Sequence, residues 1–334
     1  MTTLALITLI LTVVFALVFN LANGWNDAAN AVATVISTRV LSPARAIAFG
    51  AVLNFIGALV SSEVAKTVGR DIAEPAFLTG ATFLAAVMAA PVWITWCSRR
   101  GLPNSCSHAL LGALIGSVIA ASGGTEGLNR VGIGKIVFGV VICPVAGFIL
   151  GHIVVRIASW IARNARPGTA STVFGRLQLV SAGAMAFAHG TGDGQKAMGI
   201  ISGAMLTAGC LDHFEIKWWV RIVCAITMAL GTSLGGWRVM KTLGSRLAHL
   251  RTYQGFSAET AAATTILMNT LWGIPISTTH SITGAIMGVG AAQGVKAVKW
   301  GVGKKIVFAW IVTFPICILA GGLMYLLLRA VGIQ

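Results

Sequence analysis

Charged residues are scarce in this sequence, and acidic residues are the scarcest of them. Charged side chains make up 10% of the 334 residues, and Asp and Glu together number only 9. Soluble globular domains usually carry about 25% charged residues, so the composition excludes an ordinary soluble domain. The hydrophobic share of 56% and the mean hydropathy of +0.86 instead predict an all-α polytopic membrane protein.

Closely spaced cysteine pairs and a separate basic domain are also missing. No Cys-x-x-Cys pair occurs among the 6 cysteines, which argues against a structural zinc site or a disulfide framework. The net charge of +15 would favour nucleic acid as the partner of a soluble protein. Here the cations lie between apolar runs, so we expect no nucleic-acid partner, and we expect no covalent cofactor.

Long apolar runs fill most of the chain and predict about ten membrane segments. Their approximate ranges are 4–36, 43–62, 76–97, 104–122, 134–158, 177–209, 218–237, 257–273, 276–294 and 306–328. The first run has no basic residue before it, so we interpret it as a retained span rather than a signal peptide. If each segment crosses once, most basic residues fall on one side. This bias predicts a multi-pass protein of the cell membrane with both termini outside.

Two polar stretches interrupt apolar runs in the two halves of the chain. The first is Asn-Gly-Trp-Asn-Asp-Ala-Ala-Asn-Ala at 23–31, and the second is His-Gly-Thr-Gly-Asp-Gly-Gln-Lys at 189–196. We predict that the helices break there, at 23–27 and at 189–194. An ionisable residue at membrane depth costs several kcal/mol, so the aspartate in each stretch marks an ion or substrate path.

A second pair of motifs repeats at a constant offset. Gly-Leu-Pro-Asn-Ser-Cys-Ser-His at 101–108 aligns with Gly-Ile-Pro-Ile-Ser-Thr-Thr-His at 273–280. Their Ser and Thr residues are good N-caps, and the free N–H groups of a helix start suit an anion. Two such tips predict a pocket for a tetrahedral oxyanion. Beside it, Asn26, Asp27 and Asn30 offer hard oxygen ligands of the kind that Na⁺ takes.

The repeated motifs also predict the architecture. We expect a single transmembrane domain, 1–334, made of two inverted-topology repeats of about five segments each, 1–165 and 174–334. The inversion follows because the run Lys-Ile-Val-Phe at 135–138 recurs at 305–308 on the opposite side of the charge pattern. The broken helices and the short Ser/Thr-tipped, hairpin-like segments are then expected to meet near the membrane midplane.

The roles of four further side chains stay open at this point. Lys196 either pairs with Asp193 or contacts the anion. His108 and His280 either relay protons or hydrogen-bond the backbone of their hairpins. The thiol of Cys106 stands where a hydroxyl is expected.

The four motifs together resemble those of the inorganic phosphate transporter family. Residues 23–39 are similar to the family's Asn-Asp-x-Ala-Asn-Ala element, and residues 189–199 are similar to its bacterial second copy. Residues 275–280 match its Pro-x-Ser-Thr-Thr-His element, and the resemblance covers both halves. The sequence departs from the family at Gly192, where Asn is usual, and at Cys106, where Thr is usual.

The resemblance implies a symporter rather than an enzyme. It implies coupling to Na⁺ or H⁺, with import of inorganic phosphate across the cytoplasmic membrane by alternating access. The implied phosphate contacts are Asn26, Asp27, Ser105, Ser107, Asp193, Gln195, Lys196, Ser277, Thr278 and Thr279. The implied cation ligands, for Na⁺ if sodium is the coupling ion, are Asn26, Asp27, Asn30 and Asp193. The expected partners are phosphate, the coupling cation and membrane lipid, and a homodimer stays open.

Three alternatives remain at the level of sequence. A sulfate permease of the same architecture would share every feature described above. An anion channel would also line a polar path, although channels are commonly symmetric oligomers around one pore. An intramembrane enzyme would need a nucleophile and a base, yet the Ser-x-x-His spacings are duplicated at helix starts, which favours binding over catalysis.

Overall fold

The computed structural model describes residues 2–333 and shows a helical protein, which confirms the all-α class. The α-helices are α1 Thr3–Ser37, α2 Pro43–Val60, α3 Glu63–Lys66, α4 Gly80–Arg100, α5 Cys106–Ser122, α6 Arg130–Ala162, α7 Pro167–Thr207, α8 Trp218–Leu234, α9 Trp237–Lys241, α10 Thr252–Leu271, α11 Thr278–Ala291 and α12 Trp300–Ala330. Single π-helical turns follow α3 and α9, at Thr67–Asp71 and Thr242–Arg246. Short 3₁₀ turns lie at Pro75–Phe77 and Val295–Ala297. The part of the chain that the structure describes contains no β-strand.

The helices α1–α6 and α7–α12 follow the same order of long and short elements, each with a π-helical turn after its short third helix. The packing partners also match. Helix α1 packs on α8 while α2 packs on α7, and α5 packs on α12 while α6 packs on α11. The two halves therefore pack against each other through matching pairs of helices. This pattern supports two repeats, and their inverted orientation stays a prediction.

Several helices are suited to a lipid bilayer. In residues 2–333, α1, α2, α4, α6 and α12 are long and apolar enough to cross a membrane, and the pair α8–α9, bent by 62°, would make a sixth span. This finding supports a multi-pass membrane protein. The number is below the predicted ten, because α5 and α11 have only 17 and 14 residues and polar residues lie in the middle of α7.

The two predicted helix breaks, at 23–27 and at 189–194, are wrong. Helix α1 runs unbroken through 35 residues, and α7 runs unbroken through 41 residues. The polar side chains find partners on other helices, so the backbone keeps its own hydrogen bonds and need not unwind. The chain breaks instead at 61–62, between α2 and α3, and at 235–236, between α8 and α9.

Two glycines bring α1 and α7 into backbone contact with their neighbours. A Cβ atom on Gly24 would lie 2.4 Å from the carbonyl oxygen of Met228, and one on Gly190 would lie 2.2 Å from that of Asn54. No side chain fits at such distances, so glycine permits these close crossings. Because Gly24 and Gly190 lie within the two polar stretches, the crossings fix the position of the site residues.

Two helical hairpins confirm the expected Ser/Thr-tipped segments. Helix α4 packs along α5, and α10 packs along α11. Each pair is joined by a tip without helical structure, at 101–105 and at 272–277. The matching residues Leu110 and Ile282, on α5 and α11, are buried in two separate apolar cores. Burial in these cores holds the two tips in place.

Candidate functional site

Asp27 of α1 and Asp193 of α7 lie close together inside the protein. The Nε2 atom of His189 lies 3.5 Å from Asp193 Oδ2 and 4.0 Å from Asp27 Oδ2. One ligand atom from each of the three residues lies within 4.8 Å of the others. The three residues are at most 2% exposed. Carboxylates buried to this extent need donors or a cation, because the loss of hydration is costly.

Asp27 receives several hydrogen bonds from neutral side chains. The amide of Asn26 donates to Asp27 Oδ1 at 2.7 Å, and Thr279 Oγ1 lies 3.2 Å from the same atom. The amide of Asn23, oriented with its nitrogen toward the carboxylates, donates to Asp27 Oδ2 and Asp193 Oδ2, both at 3.2 Å. In this way Asn23 bridges the two carboxylates.

Two amide oxygens beside Asp27 are free. Asn30 directs its nitrogen to Thr279 Oγ1 at 2.9 Å, and Asn26 directs its nitrogen to Asp27. The Oδ1 atoms of Asn26 and Asn30 have no hydrogen-bond partner within residues 2–333. One carboxylate and two unpartnered amide oxygens are hard donors and fit a cation such as Na⁺.

Asp193 has a different set of neighbours. The ammonium group of Lys196 contacts Asp193 Oδ1, and the hydroxyl of Thr278 donates to Asp193 Oδ2 at 3.3 Å. Lys196 is 0% exposed. Of the two roles left open by the sequence, pairing with Asp193 is observed, and contact with an anion stays a prediction.

The two tips meet each other next to the carboxylates. Ser105 and Ser277 cap their helices, accepting hydrogen bonds from the backbone N–H groups of His108 and His280 at 3.1 and 3.2 Å. This capping was expected from the motifs. Helices α5 and α11 therefore both begin at this point, and their N-terminal amides favour an anion.

Hydroxyl groups also join one tip to the other. Ser107 donates to the carbonyl oxygen of Ile276 at 2.6 Å, and Thr279 donates to that of Asn104 at 3.0 Å. Ser107 and Thr279 occupy matching positions in the two motifs. The contact is therefore reciprocal, and we call it the tip clasp.

The structure brings together all the predicted site residues except Gln195. The amide of Gln195 donates to the carbonyl oxygen of Thr191 at 2.6 Å and accepts from the N–H of Ala65 at 3.1 Å. These contacts link α7 to α3 and give no support to its predicted contact with phosphate. The thiol of Cys106 lies 3.4 Å from the amide nitrogen of Asn26, so this residue does join the site.

Glu259 was missed at the sequence level. It lies on α10, is 0% exposed, and accepts hydrogen bonds from Thr34 at 2.5 Å, Ser181 at 2.5 Å and Gln178 at 3.1 Å. Thr34 lies one turn after Asn30 on α1, so this cluster adjoins the site. An acid inside the apolar run 257–273 was the signal that could have revealed it.

The site is closed to solvent in this conformation. Asp27 is the most exposed of its predicted polar residues, at 2%. A cavity of about 620 Å³ lies nearby, lined by Trp25, Arg99, Gly236 and Arg238 among others. Trp25 directly precedes Asn26, so the cavity adjoins the site, and its arginines give it a positive potential that favours anions.

A closed polar site between two matched helical halves defines a membrane transport protein. The chain belongs to the phosphate transporter family, whose model matches residues 23–321. It is 41% identical over 331 residues to a probable low-affinity inorganic phosphate transporter of Bacillus subtilis, covering 98% of both chains. A protein of the same description from Rhizobium meliloti is 42% identical, with 97% of both chains covered.

A solved structure described as the sodium-dependent phosphate transporter shares the fold. Its TM-score is 0.89 at 25% identity, and the match covers 97% of this chain and 99% of the other. These comparisons confirm the resemblance predicted from the motifs. They also confirm a transporter rather than an enzyme, and they support phosphate transport.

Proposed function

We propose that this protein is a Na⁺-coupled symporter that imports inorganic phosphate across the cell membrane. The observation that carries the proposal is Asp27, buried beside the two free amide oxygens of Asn26 and Asn30 and next to two helix N-termini. Oxygen donors suit Na⁺, and helix starts suit phosphate. The sodium dependence in the description of the structural neighbour supports the same coupling ion.

Phosphate binds, in this proposal, between the N-termini of α5 and α11. Its proposed contacts are Asn26, Asp27, Ser105, Ser107, Asp193, Lys196, Ser277, Thr278 and Thr279. The hydroxyls of the tip clasp are engaged with each other's backbone in the closed conformation. Phosphate would exchange these contacts for its own oxygens. Na⁺ at Asp27 would offset the repulsion between the carboxylates and the anion, since like charges in a dry site are costly.

The closed site supports a mechanism of alternating access. Phosphate cannot reach Asp27 without a conformational change, because the surrounding side chains are almost fully buried. The cavity beside Trp25 contains Arg99 and Arg238, which the charge pattern assigns to the cytoplasmic side. We propose that it is the inner vestibule through which phosphate leaves, and that both termini lie outside.

The test is phosphate uptake into proteoliposomes that contain the purified full-length protein. We expect radiolabelled phosphate to accumulate under an inward Na⁺ gradient and to accumulate little under a proton gradient alone. Excess unlabelled sulfate should compete poorly. Uptake driven only by protons would overturn the choice of Na⁺. Equal competition by sulfate would overturn the choice of substrate, and uptake without any gradient-driven accumulation would indicate a channel.

A further inference from the structure

The two halves of the site differ at the positions around their aspartates. When α1 and α7 are aligned on Asp27 and Asp193, each of the three asparagines near Asp27 is paired with a different residue type in α7. These pairs are Asn23 with His189, Asn26 with Gly192, and Asn30 with Lys196. The second half therefore lacks both of the amide oxygens that lie free beside Asp27.

A lysine occupies the place of one of the missing oxygens. Lys196 contacts Asp193, and both side chains are at most 1% exposed. Asp27 has no Lys or Arg within 4.0 Å among the described residues, and its nearest ionisable base is His189. The charge of Asp193 is thus balanced by the chain itself, whereas Asp27 has neutral donors and two free oxygens beside it.

An ammonium group and Na⁺ carry the same charge, but only the ion needs a cage of oxygens. Na⁺ at Asp193 would require oxygen ligands at positions 192 and 196, where Gly and Lys supply none. The ammonium of Lys196 would also repel it at short range, because charges in a dry interior are poorly screened. Both observations argue against a second Na⁺ in this half.

We propose that Lys196 is a built-in cation that takes the place of a second coupling ion. The inference rests on the proposed Na⁺ coupling and specifies it. The protein then binds Na⁺ at Asp27, and its second half uses a charge that never leaves the chain. Such a protein moves one Na⁺ fewer per phosphate than a chain with the asparagines in both halves.

The second ion site can be rebuilt in this chain. A Cβ atom on Gly192 would have as nearest neighbours Thr270 Oγ1 at 3.4 Å and Ile266 Cγ2 at 3.6 Å, which are ordinary contacts. The Cβ atom of an asparagine therefore fits at position 192. Thr270 Oγ1 has no hydrogen-bond partner within residues 2–333, so its hydroxyl is free to hold the new amide. The double variant Gly192→Asn/Lys196→Asn restores the Asn-Asp-x-x-Asn pattern of the first half.

The experiment measures Na⁺ and phosphate fluxes together in proteoliposomes, with both solutes radiolabelled. We expect the Na⁺-to-phosphate ratio of the double variant to exceed that of the wild type by one. The Hill coefficient for Na⁺ should increase as well. Lys66→Asn is the matched control, because Lys66 pairs with Glu63 at the same i,i+3 spacing on the surface. Lys196→Arg, which keeps the charge, should retain the wild-type ratio.

Each outcome separates the inference from the proposed function. If the double variant is active and keeps the wild-type Na⁺-to-phosphate ratio, Lys196 does not replace a coupling ion and is only a structural partner of Asp193. If the variant does not transport, the increase of its melting temperature with Na⁺ concentration in detergent is measured instead. A steeper Na⁺ dependence than the wild type supports the inference, and an unchanged dependence overturns it. Wild-type uptake driven by protons alone would instead overturn the proposal that Na⁺ is the coupling ion, whatever the variant binds.

Discussion

His108 and His280 touch each other edge to face, with ring centroids 4.4 Å apart and ring planes at 88°. The two residues occupy matching positions in the two tips. Counterparts from two halves can touch only near the axis that relates the halves. Their ring nitrogens have no hydrogen-bond partner in the described chain, so the hydrogen bonds to the hairpin backbone, one of the two roles left open by the sequence, are not observed. The tips and both aspartates therefore form one site rather than two.

Replacement of Asp27 by asparagine should weaken the activation of uptake by Na⁺. The variant Asp27→Asn keeps the shape of the side chain but removes the charge of the carboxylate beside the two free amide oxygens. Contacts with a charged group contribute about 1.5–3 kcal/mol, which corresponds to about 10- to 100-fold weaker Na⁺ activation of uptake. Initial uptake rates against Na⁺ concentration provide the measurement. Asp212→Asn, in an exposed loop, is the control and should behave as the wild type. An unaltered Na⁺ response of Asp27→Asn would contradict the assigned ion site.

The same carboxylates should help to distinguish phosphate from sulfate. Phosphate keeps a proton near neutral pH and sulfate does not, and an ionised carboxylate can only accept a hydrogen bond. We expect Asp27→Asn and Asp193→Asn to narrow the difference between the inhibition constants of phosphate and sulfate. Competition assays on Na⁺-driven uptake measure both constants. If both variants keep the wild-type preference, the carboxylates do not select the substrate.

Loss of one hydroxyl should loosen the tip clasp. Ser107→Ala removes the donor to the carbonyl oxygen of Ile276, which lies 2.6 Å away in a buried position. A buried acceptor without its partner costs about 1–3 kcal/mol. We expect a lower melting temperature in detergent, with Ser107→Thr closer to the wild type. Ser233→Ala is the control, since Ser233 is exposed and bonds only its own helix. Equal melting temperatures for Ser107→Ala and Ser233→Ala would show that the clasp adds no stability.

A methyl group on Gly190 should displace α7 from α2. Its Cβ would lie 2.2 Å from the carbonyl oxygen of Asn54, and backbone atoms cannot move aside cheaply. Overpacking of this kind costs about 1–3 kcal/mol or more. We expect Gly190→Ala to lose both stability and uptake. Gly134→Ala is the matched control, because a Cβ there meets nothing within 4 Å. Wild-type uptake by Gly190→Ala would contradict the close crossing.

The membrane class could be predicted from the composition of the sequence. The convergence of the four motifs in one site could be predicted because the motifs repeat in the two halves. The breaks in α1 and α7 could not be predicted correctly. Whether a polar run unwinds depends on partners from distant helices, such as Thr279 for Asp27. Gln195 shows the same limit: its neighbours in sequence suggest phosphate, but its partner is the backbone of Ala65.

Glu259 offers a test of a cluster that the motifs did not indicate. Glu259→Ala would leave the hydroxyls of Thr34 and Ser181 and the amide of Gln178 without their acceptor. At about 1–3 kcal/mol for each buried group, we expect the variant to unfold at a clearly lower temperature. Glu259→Gln keeps one acceptor oxygen and should lose less. Glu126→Ala, at an exposed position, is the control. No difference between Glu259→Ala and this control would show that the cluster adds no stability.

The exchanged packing of the two halves bears on how the chain is made. Helix α5 follows the first tip, yet it packs on α12, which is synthesised seven helices later. Helix α6 likewise packs on α11, which carries the second tip. The first half is therefore expected to keep a face uncovered in the membrane until α11 and α12 have been synthesised. Two halves produced as separate polypeptides would each expose the surface that the other covers, so co-expression should join them into one protein.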